Sequence, residues 1–232
     1  AIPIGDRTSP ATKHLLNMGV SVVAAAGAPW FVLPIDLVGY AKLTTTNVST
    51  TGTKTITMTP ISNTAANVDR YANGEGLRAF VASYAAMGAN APTMQLTYTN
   101  SAGTTGRTTT AGIVSTASAT SGTILNSGNA ANKVGPFLTL AAGDTGIKDL
   151  ESLAWGGTAH ASGSVFIGLC KPLCMPIPVP ATGLYNMVDF VNTLPSMPRL
   201  RNGANIQFLV FGTGATTAAA TLYTNFDYGW GG

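Results

Sequence analysis

The sequence predicts an all-β chain: an antiparallel β-sandwich, jelly-roll-like, with an N-terminal extended arm. Three observations predict it. From about Ala41 onward, short segments alternate apolar and polar residues with period two. Gly, Asn, Ser and Pro punctuate those segments at short intervals. The strand-then-helix alternation that would announce a parallel sheet is missing. The expected division is an apolar, interface-forming arm over residues 1–40 and a sandwich domain over residues 41–232.

The arm holds the most apolar stretch of the chain, Val20 to Ile35 (VSVVAAAGAPWFVLPI). It is short for a transmembrane span, and Gly27, Pro29 and Pro34 interrupt it. Arg7 and Lys13 ahead of its Ala-rich run mimic a signal peptide. Pro29 and Pro34 prevent a regular helix through the aromatic part and cannot donate to a central ladder. The segment is therefore expected to be extended and pocket-filling, docked on its own sandwich or on a neighbouring subunit, because so much apolar surface is a liability in water. Val22, Val23, Trp30, Phe31, Val32 and Leu33 are the expected interface residues.

The strands follow in order. Lys54 to Thr59 places Ile56 and Met58 inward, and Leu77 to Met87 is apolar on both faces, as a central strand would be. Thr93 to Thr99 is the clearest segment, with Met94, Leu96 and Tyr98 on one face and Thr93, Gln95, Thr97 and Thr99 on the other. Asn100-Ser-Ala-Gly103 turns it into a strand over Arg107 to Val114, with Gly103 supplying positive φ. Asn73-Gly-Glu-Gly76 precedes the Phe80 strand, and Gly143-Asp-Thr-Gly146 separates Phe137 to Ala141 from Ile147 to Trp155. Ser164 to Cys170, Ile206 to Phe211 and Leu222 to Tyr228 complete the series. One helix is expected, on Leu184, Met187, Val188 and Val191, capped by Thr182 and stopped by Pro195.

Charge is scarce. Hydrophobic residues make up 45% and charged residues 9%, against about 25% charged in an average soluble domain. Disordered chains are richer in charge and poorer in apolar residues, which excludes disorder as the reason. The surface is instead built from Thr, Ser, Asn and Gly, or covered by partners, since interface cores lose charge. A net charge of +3 with scattered basic residues gives no nucleic-acid stripe. Arg199 and Arg201, the closest pair, have the setting of a solvated turn.

A catalytic constellation does not assemble. Gly52-Thr-Lys54-Thr55 echoes a phosphate loop without its first glycine, and Gly74-Glu-Gly76 leads into a strand where dinucleotide binding needs a helix. Asp149 and Glu151, two apart, could serve a glycosidase, though an exposed strand edge explains them. Asp144 is expected to bond its own turn, and His160 to lie on a surface loop. Cys170 and Cys174 are expected as thiols, because a disulfide closing so short a loop contributes little. His14 and His160 have no metal spacing to the cysteines or to each other, so no metal and no cofactor is expected. Trp155, Trp230, Tyr223 and Tyr228 are candidates for a sugar-stacking platform, with strand core as the plainer reading.

Two stretches carry a resemblance. They are Leu96 to Thr110 (LTYTNSAGTTGRTTT up to its last threonines) and Pro136 to Leu153, continuing through Ser162 to Leu173. The second joins a strand, a Gly-Asp-x-Gly turn, another strand, a Ser-Gly loop and a hydrophobic strand ending in Lys-Pro-Leu. They resemble segments of virion structural proteins of tailed bacteriophages. The resemblance implies a jelly-roll-like, non-enzymatic subunit of the virion, most simply a head decoration (cement) protein that clamps the major capsid protein. Its implied partners are copies of itself, a trimer being favoured, and other virion subunits, with neither nucleic acid nor membrane bound directly. The alternative is a carbohydrate-binding, lectin-like attachment protein or a tail-associated virion protein. A hydrolase acting on surface polysaccharide is the third hypothesis.

Overall fold

The computed structural model describes residues 2–3, 12–23, 29–60, 69–71, 73–126, 135–193, 197–212 and 221–231. The chain begins with strands β1 (Ile2–Pro3), β2 (Thr12–Val23) and β3 (Trp30–Leu43), followed by the one-turn helix α1 (Thr45–Val48). Next come β4 (Gly52–Thr55), β5 (Thr59–Pro60), β6 (Arg78–Ala85), β7 (Thr93–Asn100), β8 (Arg107–Thr108), β9 (Ile113–Val114) and β10 (Ile147–Gly156). The last part holds β11 (Ser164–Pro172), β12 (Ile177–Val179), β13 (Tyr185–Asp189), helix α2 (Phe190–Thr193), β14 (Arg199–Leu200), β15 (Asn205–Gly212) and β16 (Thr221–Gly231). The architecture is all-β, antiparallel and sandwich-like, as the alternation predicts. A jelly roll does not follow from the strand orders.

The chain divides into two compact units, and the division differs from the expected arm and sandwich. One unit is Leu37–Lys171; the other joins Ala1–Asp36 to Pro172–Gly232. Residues 12–23 and 30–36 are strands of that second unit, so the expected arm over residues 1–40 is strand wherever it is described, apart from a bend at Pro29. Residues 24–28 of the apolar stretch lie outside the described residues.

In the unit over residues 37–171, one sheet pairs the second half of β3 with β5 and with β11, and β11 with β6. The other sheet has the order β4-β10-β7-β8, with β9 also on β7. Their inner faces meet in one core that includes Val38, Leu77, Val81, Met94, Leu96, Tyr98, Leu150, Leu153, Trp155 and Ile167. Strand β7 alternates without a fault: Met94, Leu96 and Tyr98 are buried, and Thr93, Gln95, Thr97 and Thr99 are half-buried. The expected Arg107 to Val114 strand is instead two bridges to β7 separated by a turn at Ala111-Gly112. Phe137 to Ala141 is irregular, held by single backbone bonds such as Leu138 N–H to the Ala79 carbonyl at 2.9 Å.

In the other unit, β15 lies between β1 and the first half of β3, and β12 pairs β3 on its far side. The facing sheet centres on β2, with β16 along one side and β13 and β14 along the other. Met18, Val20 and Val22 of β2 pack with Trp30, Val32, Ile177, Val179, Phe190 and Ile206. Pro34 sits opposite Phe208 within this ladder, which the sequence reading excludes for a central strand. On one strand residue, N–H and C=O point to the same side. The Pro34 carbonyl accepts the Leu173 N–H at 3.1 Å, ahead of the β12 pairing at Ile177. The missing N–H thus faces the point where the chain passes from β11 to β12, and no regular ladder needs it there.

The expected helix on Leu184 to Val191 is mostly strand. Tyr185 to Asp189 pairs with Ser21 to Asn17 of β2, and only Phe190–Thr193 forms a helical turn. Of the four residues of the predicted helical stripe, Leu184, Met187 and Val191 are exposed and Val188 is half-buried against the core, whereas Phe190 is buried. Strand pairing with β2 satisfies this backbone and seats Phe190, so tertiary context overrides a weak 3.6-residue period. Pro195 lies outside the described residues.

Trp30 is wholly buried on β3. Trp30→Ala is expected to lower unfolding stability by about 3 to 5 kcal/mol, measured as a shift in a urea or guanidinium transition at unchanged slope.

Candidate functional site

Several polar residues that the sequence singles out for chemistry make structural contacts. Lys54 Nζ donates to Thr50 Oγ1 at 2.7 Å and to the Thr51 carbonyl at 3.2 Å, folding back on its own loop. Gly74 has φ of +85°, and a side chain there would collide with the Ile147 backbone; the glycine serves close backbone approach. Glu151 accepts from Thr99 Oγ1 at 2.8 Å and from the Gly106 N–H at 3.1 Å. Asp149 accepts the N–H of Leu150 at 2.9 Å. Register shifts on either side of Asp149 and Leu150 break the regular two-residue spacing assumed for the carboxylate pair. Cys170 and Cys174 are thiols; Cys170 donates to the Arg78 carbonyl, and burial pushes the Cys174 thiol up to about 12.

Asp144 does more than close its turn. Its carboxylate accepts Tyr98 Oη at 2.6 Å, Asn100 Nδ2 at 2.8 Å and Arg107 Nε at 2.9 Å. Tyr98 Oη in turn accepts the Ala141 N–H at 2.9 Å. The Arg107 and Tyr98 donors hold the Asp144 carboxyl down to about 2, and burial, then the Asp144 carboxylate, pushes the Tyr98 phenol up to about 12. A carboxylate so satisfied is a structural pin rather than a proton donor or nucleophile.

His160 is buried, not on the surface. Its Nε2 lies 2.9 Å from Ser115 Oγ, and its ring meets Trp155 edge-on with centroids 5.6 Å apart. Burial lowers its pKa from the ordinary 6.5. The surrounding Thr-Ala-His-Ala-Ser sequence gives no hint of this, because the hydroxyl comes from 45 residues away, although the indole stands only five residues upstream on β10.

The exposed chemistry gathers on the sheet around β2. Of the four aromatic residues named for sugar stacking, Trp155 is core, while Tyr223, Tyr228 and Trp230 all lie on β16 and are 60%, 37% and 45% exposed. Phe226, Tyr228 and Trp230 form a row at period two, with ring centroids 6.3 and 5.4 Å apart. Among the described residues β16 pairs with β2 alone, which makes it an edge strand. On the outer face of the same sheet, Tyr185 of β13 donates from Oη to Asn225 Oδ1 at 2.8 Å, and Asn17 Nδ2 donates to Asp227 Oδ2 at 2.7 Å. Tyr185 escapes the sequence reading because a helix was expected there; period two on Tyr185, Met187 and Asp189 was the available signal.

The six expected interface residues divide differently. Val22, Trp30, Val32 and Leu33 are buried within the chain, leaving no surface for a neighbour, and Phe31 is half-buried and stacked on Phe211 at 5.7 Å. Only Val23 is exposed. No protein-family model, curated protein or solved structure matches this chain. No helix among the described residues is long and apolar enough to cross a membrane.

Two outcomes follow from the buried polar groups. Asp144→Ala strips three donors of a charged acceptor and is expected to cost about 2 to 3 kcal/mol in denaturant unfolding. His160 has its folded pKa depressed, so the unfolded chain takes up the proton first and stability falls as pH drops below 6.5. Denaturation midpoints from pH 7.5 to 5 should show that slope, and His160→Gln should flatten it.

Proposed function

We propose that this chain is a non-enzymatic structural subunit that assembles into a larger particle through the edge of β16. The observation that carries the reading is the make-up of that edge. Soluble proteins blunt long edge strands with lysines, prolines, bulges or a covering segment. β16 runs for eleven residues with one charge, Asp227, no lysine and no proline, and the one register shift in its pairing, between Asp227 and Tyr228, puts the extra residue on β2. It presents backbone donors and acceptors beside exposed Tyr228 and Trp230. A strand of this kind is built to be extended by another chain: main-chain hydrogen bonds supply affinity, and the aromatic rings supply specificity. The 9% charge content of the whole chain supports the same reading, since few ions need desolvating on contact.

In the form the sequence resemblance points to, the particle is a tailed-phage virion and the chain a head decoration subunit bound to the major capsid protein. Symmetry then multiplies modest contacts into firm attachment. Two β16 edges meeting each other would give a twofold dimer; a trimer requires β16 to meet a different surface of its neighbour.

Sedimentation velocity tests the reading. The wild type is expected to associate, and Tyr228→Lys combined with Trp230→Lys to sediment as a monomer with an unchanged circular dichroism spectrum. A wild type that stays monomeric at high concentration overturns the reading, as does a double variant that associates as well as the wild type.

A further inference from the structure

The outer face of the β13-β2-β16 sheet differs from the β16 edge in its chemistry. Tyr185, Ser21 and Tyr223 form one row across the three strands. Two strand spacings put the tyrosine backbones about 9.6 Å apart, with only a serine between them. Both rings are open to solvent, at 56% for Tyr185 and 60% for Tyr223.

The Tyr185 phenol is held across β2. Its hydroxyl crosses β2 to bond Asn225, and it passes directly over Gly19; any side chain at position 19 would collide with the phenol. A glycine beneath and an amide at its tip hold the phenol across β2, with the ring open to solvent. Along β16 the same outer face continues from Tyr223 to Asn225 and Asp227 at period two. Asn225 uses its carbonyl oxygen on Tyr185 and keeps its amide nitrogen as a donor; Asp227 uses one oxygen on Asn17 and keeps the other as an acceptor. Two stacking rings, a donor and an acceptor therefore share one open surface.

Charge narrows the ligand. Along β13, β2 and β16 the side chains on this face include two carboxylates, Asp189 and Asp227, and no lysine or arginine; the exposed Arg199 of β14 lies opposite His14, at the other end of the sheet from Tyr185. Phosphate, sulfate and sialic acid ligands are repelled there, and so are anionic lipids and nucleic acid. A neutral ligand with flat, C–H-rich faces and many hydroxyls fits all three features: it stacks on tyrosine, and its hydroxyls pair with an amide and a carboxylate. We infer that the Tyr185–Ser21–Tyr223 face binds a neutral oligosaccharide, one sugar face on each ring, with Asn225 and Asp227 orienting its hydroxyls. This inference is independent of assembly through the β16 edge.

The test is a glycan array carrying neutral, sialylated and sulfated oligosaccharides, followed by titration of the full chain with the neutral hits. Binding is expected among neutral glycans only. Tyr185→Ala and Tyr223→Ala should each weaken it about tenfold or more, as truncation of an aromatic anchor does. Tyr185→Phe, which keeps the ring, should weaken it less. Both tyrosines are exposed, so the variants should fold, which circular dichroism checks; sedimentation should match the wild type. No neutral glycan bound, a preference for anionic glycans, or titrations unmoved by both alanine variants would each overturn the inference. Loss of self-association in Tyr185→Ala would overturn it as well, and would assign the face to a protein partner.

Discussion

Burial of β3 on both faces is the constraint on which the rest of the structure depends. Nearly every residue from Trp30 to Leu43 is buried or half-buried, with Lys42 the exception. A strand that is apolar on both sides needs cover on both sides, and cover here comes from different places along its length. Trp30 and Val32 belong to the core shared with β2, β12 and β15, while Val38, Ala41 and Leu43 belong to the core shared with β6, β7, β10 and β11. The boundary between the two compact units falls inside this one strand, at Asp36 and Leu37. Asp36 is itself buried and accepts the Asn205 N–H at 2.8 Å, so even the polar residue at the changeover is fixed.

Scarcity of charge shapes what surrounds those cores. With few ions available, the chain pairs many of its buried polar groups with hydroxyls, amides and backbone. Asp144 shows the pattern: one carboxylate gathers a phenol, an amide and a guanidinium from three places on β7 and β8. The hydroxyl-rich outer face of β7 and the amide-rich outer face of β2 and β16 are the solvent side of the same economy.

What could be seen in the sequence was what a single strand decides for itself. The alternation of Met94, Leu96 and Tyr98, or of Val165, Ile167 and Leu169, needs no partner to be recognised. What escaped depended on pairing. Leu184 to Val191 has helical spacing, yet β2 supplies a ladder that a local reading does not know about. His160 looks like a loop residue until Ser115 arrives from a distant segment and the chain turns the imidazole back onto Trp155. The apolar run from Val20 to Ile35 reads as surface that must be covered; its described strand parts, residues 20–23 and 30–35, pair into sheets that only the C-terminal strands complete. The same holds for the candidate site: Tyr223, Tyr228 and Trp230 were visible as aromatics, whereas Tyr185 and Gly19 acquire meaning only when β13 and β16 flank β2.

The composition of the two units also sets an order of events during synthesis. Residues 37–171 are contiguous, so that unit has all its strands once the ribosome passes Lys171. The other unit takes β2 from the beginning of the chain and β16 from its end, an antiparallel pair more than two hundred residues of sequence apart at Lys13 and Trp230. Until the last strand emerges, β2 has no partner on that side, and the apolar face made by Met18, Val20 and Val22 lacks part of its cover. Long-range pairing of this kind is slow and leaves edges exposed in the meantime. A nascent chain of this protein therefore carries one finished unit and one that waits, and its dependence on chaperones and its vulnerability to proteases should be concentrated in the waiting one.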